Sequence, residues 1–240
     1  MPTVTALIPA FDEADRIEAT ICALRSIQPP LDEILVVDDG STDCTALRAE
    51  AAGADSVIKQ PNRGKGAALN RAFEGSSGEI LLLVDADLGE SACQISGLLA
   101  PLLSGDADMS IATFPVIPGR GGGMGFVVNL ARRGIRRLTG RTLAAPLSGQ
   151  RAVRREVLQR LGGFAEGWGV EIDLSVRALW AGYRVAEIPL QMTHRVTGRT
   201  KADVSHRLAQ FLDAARVLRR LRRNRRQIVS ALTAPVAGGG

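Results

Sequence analysis

The sequence predicts an α/β protein: a single domain on a mostly parallel, Rossmann-like sheet with helices on both faces. Three observations carry that prediction. Short β-branched and aliphatic runs alternate with helical stretches through the first half of the 240-residue chain, which is the pattern of βαβ units. The runs lack polar alternates, as strands covered on both faces do. Short connections and right-handed crossovers then favour a doubly wound arrangement.

The runs are Val4–Ile8, Glu33–Val37, Ser56–Lys59, Glu79–Val84 and Met109–Thr113. Helical stretches fall between them at Glu13–Ile27, Thr42–Ala52, Gly64–Glu74 and Ser91–Leu103. The second half is less regular. Pro115 to Gly125 is rich in glycine and proline and reads as a mobile loop. A basic helix at Phe126–Leu138, the stretch Leu147–Val153 and a helix near Arg155–Leu161 follow. Val170–Ala181 reads as a helix, Arg184–Met192 as one or two strands, and Ala202 to about Arg223 as a final helix. The Gly-rich end reads as a disordered tail.

Composition narrows the class. No apolar run approaches the roughly 18 residues of a membrane span. Thr3 to Pro9 already reads as a strand, which leaves no charged and apolar regions for a signal peptide. Cys22, Cys44 and Cys93 are scattered, without metal-ligand spacing, and read as reduced thiols. A cytoplasmic protein is the expectation. The formal charge of +5 hides an asymmetry: residues 1–110 hold 7 Lys and Arg against 18 Asp and Glu, and the remainder holds 23 against 7. A basic half facing an acidic half suits an anionic partner with a cation beside it.

Ligands of such sheets sit beyond the carboxyl ends of the strands, and those ends carry unusual residues here. The first strand ends Pro9-Ala10-Phe11-Asp12-Glu13, the second Asp38-Asp39-Gly40-Ser41-Thr42-Asp43, and the fourth Asp85-Ala86-Asp87. Strand residues two apart share a face, so Asp85 and Asp87 can aim at one hard cation; the bland alternative is a helix cap. Asp38 and Asp39 exceed what capping needs and suit a base N–H or a ribose hydroxyl, against the alternative of an ordinary Asp-Gly turn. Gly64-Lys65-Gly66 opens a helix whose free N–H groups and lysine suit phosphate. It is neither a Walker loop nor a dinucleotide fingerprint, which argues against an ATPase or a dehydrogenase.

Together and in this order, these segments resemble family 2 and related glycosyltransferases of the GT-A fold, over roughly residues 3–200. The resemblance implies a metal-dependent transfer of a sugar from a nucleoside diphosphate donor, such as UDP-glucose or a related UDP-hexose, to a hydroxyl acceptor. By it, Pro9, Ala10, Phe11, Glu13, Asp38, Asp39 and Lys65 would hold the nucleotide. Asp85 and Ala86 would meet the ribose, and Asp87 would meet an Mg²⁺ or Mn²⁺ ion. The second half, with Pro146-Leu147-Ser148-Gly149-Gln150-Arg151, Gly167-Trp168-Gly169-Val170-Glu171-Ile172 and Thr193-His194-Arg195, is similar to glucosyl-3-phosphoglycerate synthases. That similarity implies His194 as a second metal ligand, Glu171 beside the transferred sugar, and retention of configuration. Asp87 and Lys65 would assist the leaving diphosphate.

The acceptor would meet Gly123, Met124, Gly125, Ser148, Gly149 and Trp168. Where those synthases hold phosphoglycerate with Arg and Thr, this loop reads Gly123-Met124-Gly125-Phe126. Glu171 and Asp173 lie about 200° apart on a helix, so only one faces a sugar; Glu171, beside the loop, is the expected one. Trp168 suits either a sugar face or the core. Expected boundaries are a transferase domain over 1–200 (1–113 for the donor, 114–200 for the acceptor), a basic helix over 201–226 and a tail over 227–240.

The expected partners are the nucleotide sugar, a hydroxyl acceptor suited to carrying an anionic group, and a second copy of the chain. Arg216–Arg226, with seven arginines and no acid, suits either a membrane surface or a solvated helix packed on the domain, the second being favoured. No aromatic interleaving supports nucleic acid. The alternatives are a polyprenyl-phosphate glycosyltransferase at the membrane surface and an inactive nucleotide-binding homologue.

Overall fold

The computed structural model describes residues 1–114, 125–165, 167, 169–192 and 201–234, the side chains of 201–210 excepted. Seven strands form one sheet: β1 (Val4–Ala10), β2 (Glu33–Asp38), β3 (Ser56–Lys59), β4 (Ile80–Leu83), β5 (Met109–Thr113), β6 (Arg151–Arg154) and β7 (Val185–Pro189), in the order β3-β2-β1-β4-β6-β5-β7. All neighbours run parallel except β6, which is antiparallel to β4 and to β5.

The strands alternate sides as the pleat requires. On β2, Ile34 and Val36 join one core, Leu35 and Val37 the other. On β4, Ile80 and Leu82 oppose Leu81 and Leu83 in the same way. One face is covered by α1 (Ile17–Arg25) and a 3-10 segment at Gly89–Leu98. The other is covered by α3 (Lys65–Gly75), α5 (Gly125–Thr139), α6 (Arg155–Leu161), α7 (Val170–Trp180) and α8 (Lys201–Thr233). The short helices α2 (Thr45–Ala51) and α4 (Ala100–Leu103) complete the connections.

Four elements differ from the sequence reading. Helix α1 begins at Ile17 rather than Glu13, because the backbone N–H groups of Glu13 and Ala14 are held by Thr45 Oγ1 (2.9 Å) and Asp43 Oδ2 (3.1 Å). Asp43 also caps Thr45 N (2.9 Å), which delays α2 until Thr45. Residues Ser91–Leu103 form not one helix but a 3-10 segment followed by α4. Gly89, Gly97 and two serines weaken an α-helix there, and a Cβ on Gly97 would lie 2.8 Å from Leu190 Cδ2. Helix α8 runs on through Thr233, past the expected start of the tail. Buried Leu232 anchors it, and the Arg160 guanidinium binds the terminal carbonyls of Leu232 (2.7 Å) and Ala234. No helix among the described residues is long and apolar enough to cross a membrane.

Candidate active site

The carboxyl ends of β1, β2 and β4 meet at one edge of the sheet, and their loops are bound to one another. Asp12 follows β1 in a left-handed conformation (φ 52°) that Asp tolerates better than most residues. Its backbone N–H donates to Ser41 Oγ (3.0 Å), and its carboxylate accepts from Thr42 N (2.7 Å) and Thr42 Oγ1 (3.2 Å). Ser41 and Thr42 therefore serve Asp12 and do not cap a helix. Asp38 closes the turn by accepting Ser41 N (2.8 Å). Gly40 is required: its φ is 84° and a Cβ would lie 2.7 Å from Asn62 N.

Asp39 reaches the neighbouring loop. It accepts from Arg63 N (2.9 Å), Gly64 N (2.7 Å) and Gln60 Nε2 (2.7 Å), so two backbone donors ahead of α3 are already occupied. Both Asp38 and Asp39 are buried. Their hydrogen bonds fix the loops after β2 and before α3. Pro9 and Ala10 end β1 with little exposure, Glu13 is half-buried, and Phe11 is exposed.

Lys65, the first residue of α3, stands at the centre. Its ammonium donates to Asp85 Oδ1 (2.8 Å) and to Glu171 Oε1 (2.9 Å). Burial works against that ammonium, but the two carboxylates outweigh it and hold its pKa above the ordinary value. Lys65 is therefore a cation at every physiological pH. Glu171 arrives from α7, whose N-cap Gly169 has a φ of 93° and packs against Val217 of α8.

Asp85 is held from its other side by Gln150 Nε2 (2.8 Å). Between them passes Gly149, where a Cβ would lie 2.5 Å from Asp85 Oδ2 and 2.8 Å from Lys65 Nζ. A Cβ there would displace the Asp85 carboxylate or the Lys65 ammonium. Asp87 follows two residues later, half-buried, and Arg16 Nη1 donates to its carbonyl (3.3 Å). Ala86 is buried; its carbonyl accepts from Thr20 Oγ1 (2.8 Å), which anchors the Asp-Ala-Asp turn to α1.

Glu171 and Asp173 point apart. Asp173 turns to Arg177 and Arg220, the latter at 2.6 Å, and joins α7 to α8. Gly123, Met124, Trp168 and His194 lie outside the described residues, while Gly125 begins α5. Among the described residues no group of three His, Cys, Asp or Glu is placed to hold a metal.

Two residues of this site were read from the sequence only within the segment 146–151, with no role of their own. Gln150 and Arg151 follow Gly149 and look like a polar loop, yet Gln150 is 0% exposed and Arg151 is 1% exposed. The Arg151 guanidinium donates to Ser148 O (2.8 Å), Pro146 O (3.3 Å) and Ser175 Oγ (2.8 Å), and Ser175 Oγ donates to Glu171 O (2.7 Å). Burial lowers its pKa to about 10, partly offset by Glu171, Glu187 and Asp85. The one signal was a Gln-Arg pair entering a short apolar run.

An α/β sheet of this order, with an Asp-x-Asp turn beyond its fourth strand and a lysine bound to two carboxylates beside it, defines a GT-A glycosyltransferase fold. The chain belongs to glycosyl transferase family 2, whose sequence profile matches residues 5–162. It is 36% identical over 197 residues to a glucosyl-3-phosphoglycerate synthase of Mycolicibacterium paratuberculosis, covering 72% of this chain and 59% of that protein. The chain thus spans about three fifths of that relative's length.

Solved structures agree with the fold. The glucosyl-3-phosphoglycerate synthase of Mycobacterium tuberculosis in complex with Mn²⁺, uridine diphosphate and phosphoglyceric acid matches with a TM-score of 0.75 and 29% identity, covering 100% of this chain and 81% of that one. The same enzyme with Mn²⁺, UDP-glucose and phosphoglyceric acid matches with a TM-score of 0.72 and 31% identity, covering 100% and 82%.

Proposed function

We propose that the protein transfers a hexose, glucose or a close relative, from a UDP donor to a hydroxyl acceptor, with a divalent cation and with retention of configuration. The observation that carries this reading is Lys65 bound at once to Asp85 and Glu171, at the strand edge where the Asp-x-Asp turn ends. Support comes from the relatives solved with UDP-glucose and Mn²⁺.

The donor set suits Mn²⁺ or Mg²⁺. Asp85 is turned to Lys65 and Gln150, and Asp87, whose carboxylate is a hard oxygen donor, would be the cation ligand of the two. Asp87, with His194, would hold the cation, which when bound would neutralise the departing diphosphate. The remaining chemistry belongs to the chain. Pro9, Ala10, Phe11, Glu13, Asp38, Asp39 and Ala86 form or support the wall along the nucleoside.

Lys65 and the buried Arg151 stand opposite the Asp85 and Glu171 carboxylates. Glu171 would face the positive charge that develops at the anomeric carbon. Glu171 would lie beside the sugar, held in place by Lys65 and by Ser175 on its backbone. Ser148, Gly149, Trp168 and the loop over Gly123, Met124 and Gly125 would receive the acceptor. Gly123, Met124 and Gly125 themselves carry no Arg or Thr, so an acceptor other than phosphoglycerate is proposed.

UDP release from UDP-glucose with Mn²⁺, with and without candidate acceptors, tests the reading. Turnover that disappears in Asp87→Ala with an unchanged melting temperature is expected. Absence of binding to any nucleotide sugar would sink it.

A further inference from the structure

Helix α6 ends at Leu161, and the chain turns through Gly162, Gly163 and Phe164 on its way to α7. This turn is held from two sides. From α3, the Asn70 amide gives both of its groups to one residue: Oδ1 accepts from Phe164 N (2.7 Å) and Nδ2 donates to Phe164 O (3.0 Å). From α7, the Arg177 guanidinium donates to Leu161 O and to Gly163 O (3.0 Å). The Phe164 side chain is buried, its ring edge-on to Phe73 of α3 at 6.5 Å. Gly163 permits the close approach, because a Cβ there would lie 2.7 Å from Asn70 Oδ1.

Helix α3 thus holds the same stretch of chain at both ends. Asn70 fixes Phe164 where the stretch begins, and Lys65 fixes Glu171 where it ends, at 2.9 Å. The two holds lie about 7.5 Å apart along the axis of α3. Helix α7 has no side-chain cap at Gly169, so its start is not set by a cap of its own.

Packing alone does not account for the asparagine. Leu or Met would be the better helix former at that position, but neither would supply a partner for the Phe164 N–H and C=O. We propose that Asn70 is a positioning residue for the transfer reaction: it fixes the start of the 164–171 stretch on α3 and thereby sets Glu171 against Lys65. The inference rests on the reading of Glu171 as the carboxylate beside the sugar.

Two measurements on the full chain test it, one that needs turnover and one that does not. With UDP-glucose and Mn²⁺, Asn70→Ala is expected to lower kcat about 10- to 100-fold with KM within about threefold, since a misplacement of about 1 Å is enough. Asn70→Asp keeps the acceptor for Phe164 N and loses the donor to Phe164 O, so it should fall between. Arg184→Met is the control: it removes an ion pair at the starts of β5 and β7, on the opposite edge of the sheet, and should lower the melting temperature without changing kcat. Hydrogen exchange is the second measurement. Peptides covering 164–173 should exchange about tenfold or more faster in Asn70→Ala, while those of β1 and β2 keep the wild-type rate. Unchanged exchange over 164–173, or an unchanged kcat in Asn70→Ala, overturns the inference and leaves the proposed reaction standing. An equal loss of kcat in Arg184→Met overturns it as well. A wild-type chain that neither binds nor turns over UDP-glucose counts against the reaction itself, and the exchange result then decides whether Asn70 places Glu171.

Discussion

Lys65, Asp85 and Glu171 illustrate how one cation can order a site made from three distant parts of the chain. Removing it by Lys65→Met leaves two carboxylates facing each other and should lower turnover by about 10²–10³-fold. Lys65→Arg should restore part of that activity; equal loss in both would show that charge is not what matters. Gly149→Ala intrudes on the same pair, because its Cβ would sit 2.5 Å from Asp85 Oδ2. A drop of about 10²-fold in kcat with little loss of stability is expected, since a shift of about 1 Å is enough. Arg151 acts differently: it touches three loop or helix acceptors and no carboxylate directly. Arg151→Met strands those acceptors in the interior and should cost about 2–5 kcal/mol by denaturant unfolding. A cost near zero would mean that water replaces the guanidinium.

Among the elements, the edges of the sheet are fastened by carboxylates whose pKa values lie below the ordinary 3.8. Burial opposes the Asp55 carboxylate, but Arg25 and the Ile34 N–H outweigh it and tie α1 to β2. Arg184 lowers Asp108 and joins the starts of β5 and β7. Groups with depressed folded pKa values stabilise above their unfolded values, and that share is lost as pH falls through the folded ones. Melting temperature should therefore hold from pH 7 to about 5 and decline below about 4. Asp108→Asn should flatten part of the decline; an unchanged acid profile would assign it elsewhere. Lys65 has the opposite sign: its raised pKa makes its contribution complete below about 10.5, the ordinary value, so alkaline loss begins only above that.

The βαβ half was legible because its strands are continuous apolar runs and its loops carry Asp and Gly where the chain must turn. The antiparallel β6 was not distinguishable, because four residues, Arg151–Arg154, show no period that separates parallel from antiparallel pairing. The burial of Gln150 and Arg151 was invisible for a related reason: polar residues read as surface, and only tertiary packing reveals that these two lie inside. The Asp-Asp-Gly turn was legible as a site feature. That Asp39 shapes the loop before Gly64 required the structure.

For the molecule as a whole, the charge asymmetry now has addresses. The acidic half places several of its carboxylates in the loops that build the site, and the basic half concentrates in α5 and α8. Helix α8 also belongs to the core, through Ala214, Val217, Leu221 and Leu232. Deleting residues from 214 onward should therefore lower the melting temperature by several degrees or more, whereas surface arginine changes should not; a stable truncated chain would show α8 to be an appendage. The account as a whole depends on the strand-end cleft binding a nucleotide sugar with a metal. Calorimetric titration of UDP-glucose into the full chain tests this most directly, in Mn²⁺ and again in EDTA. Binding at least tenfold tighter with Mn²⁺, and weakened to the EDTA value by Asp87→Ala, is the predicted result. Binding that ignores both the metal and Asp87, or no binding at all, would contradict it.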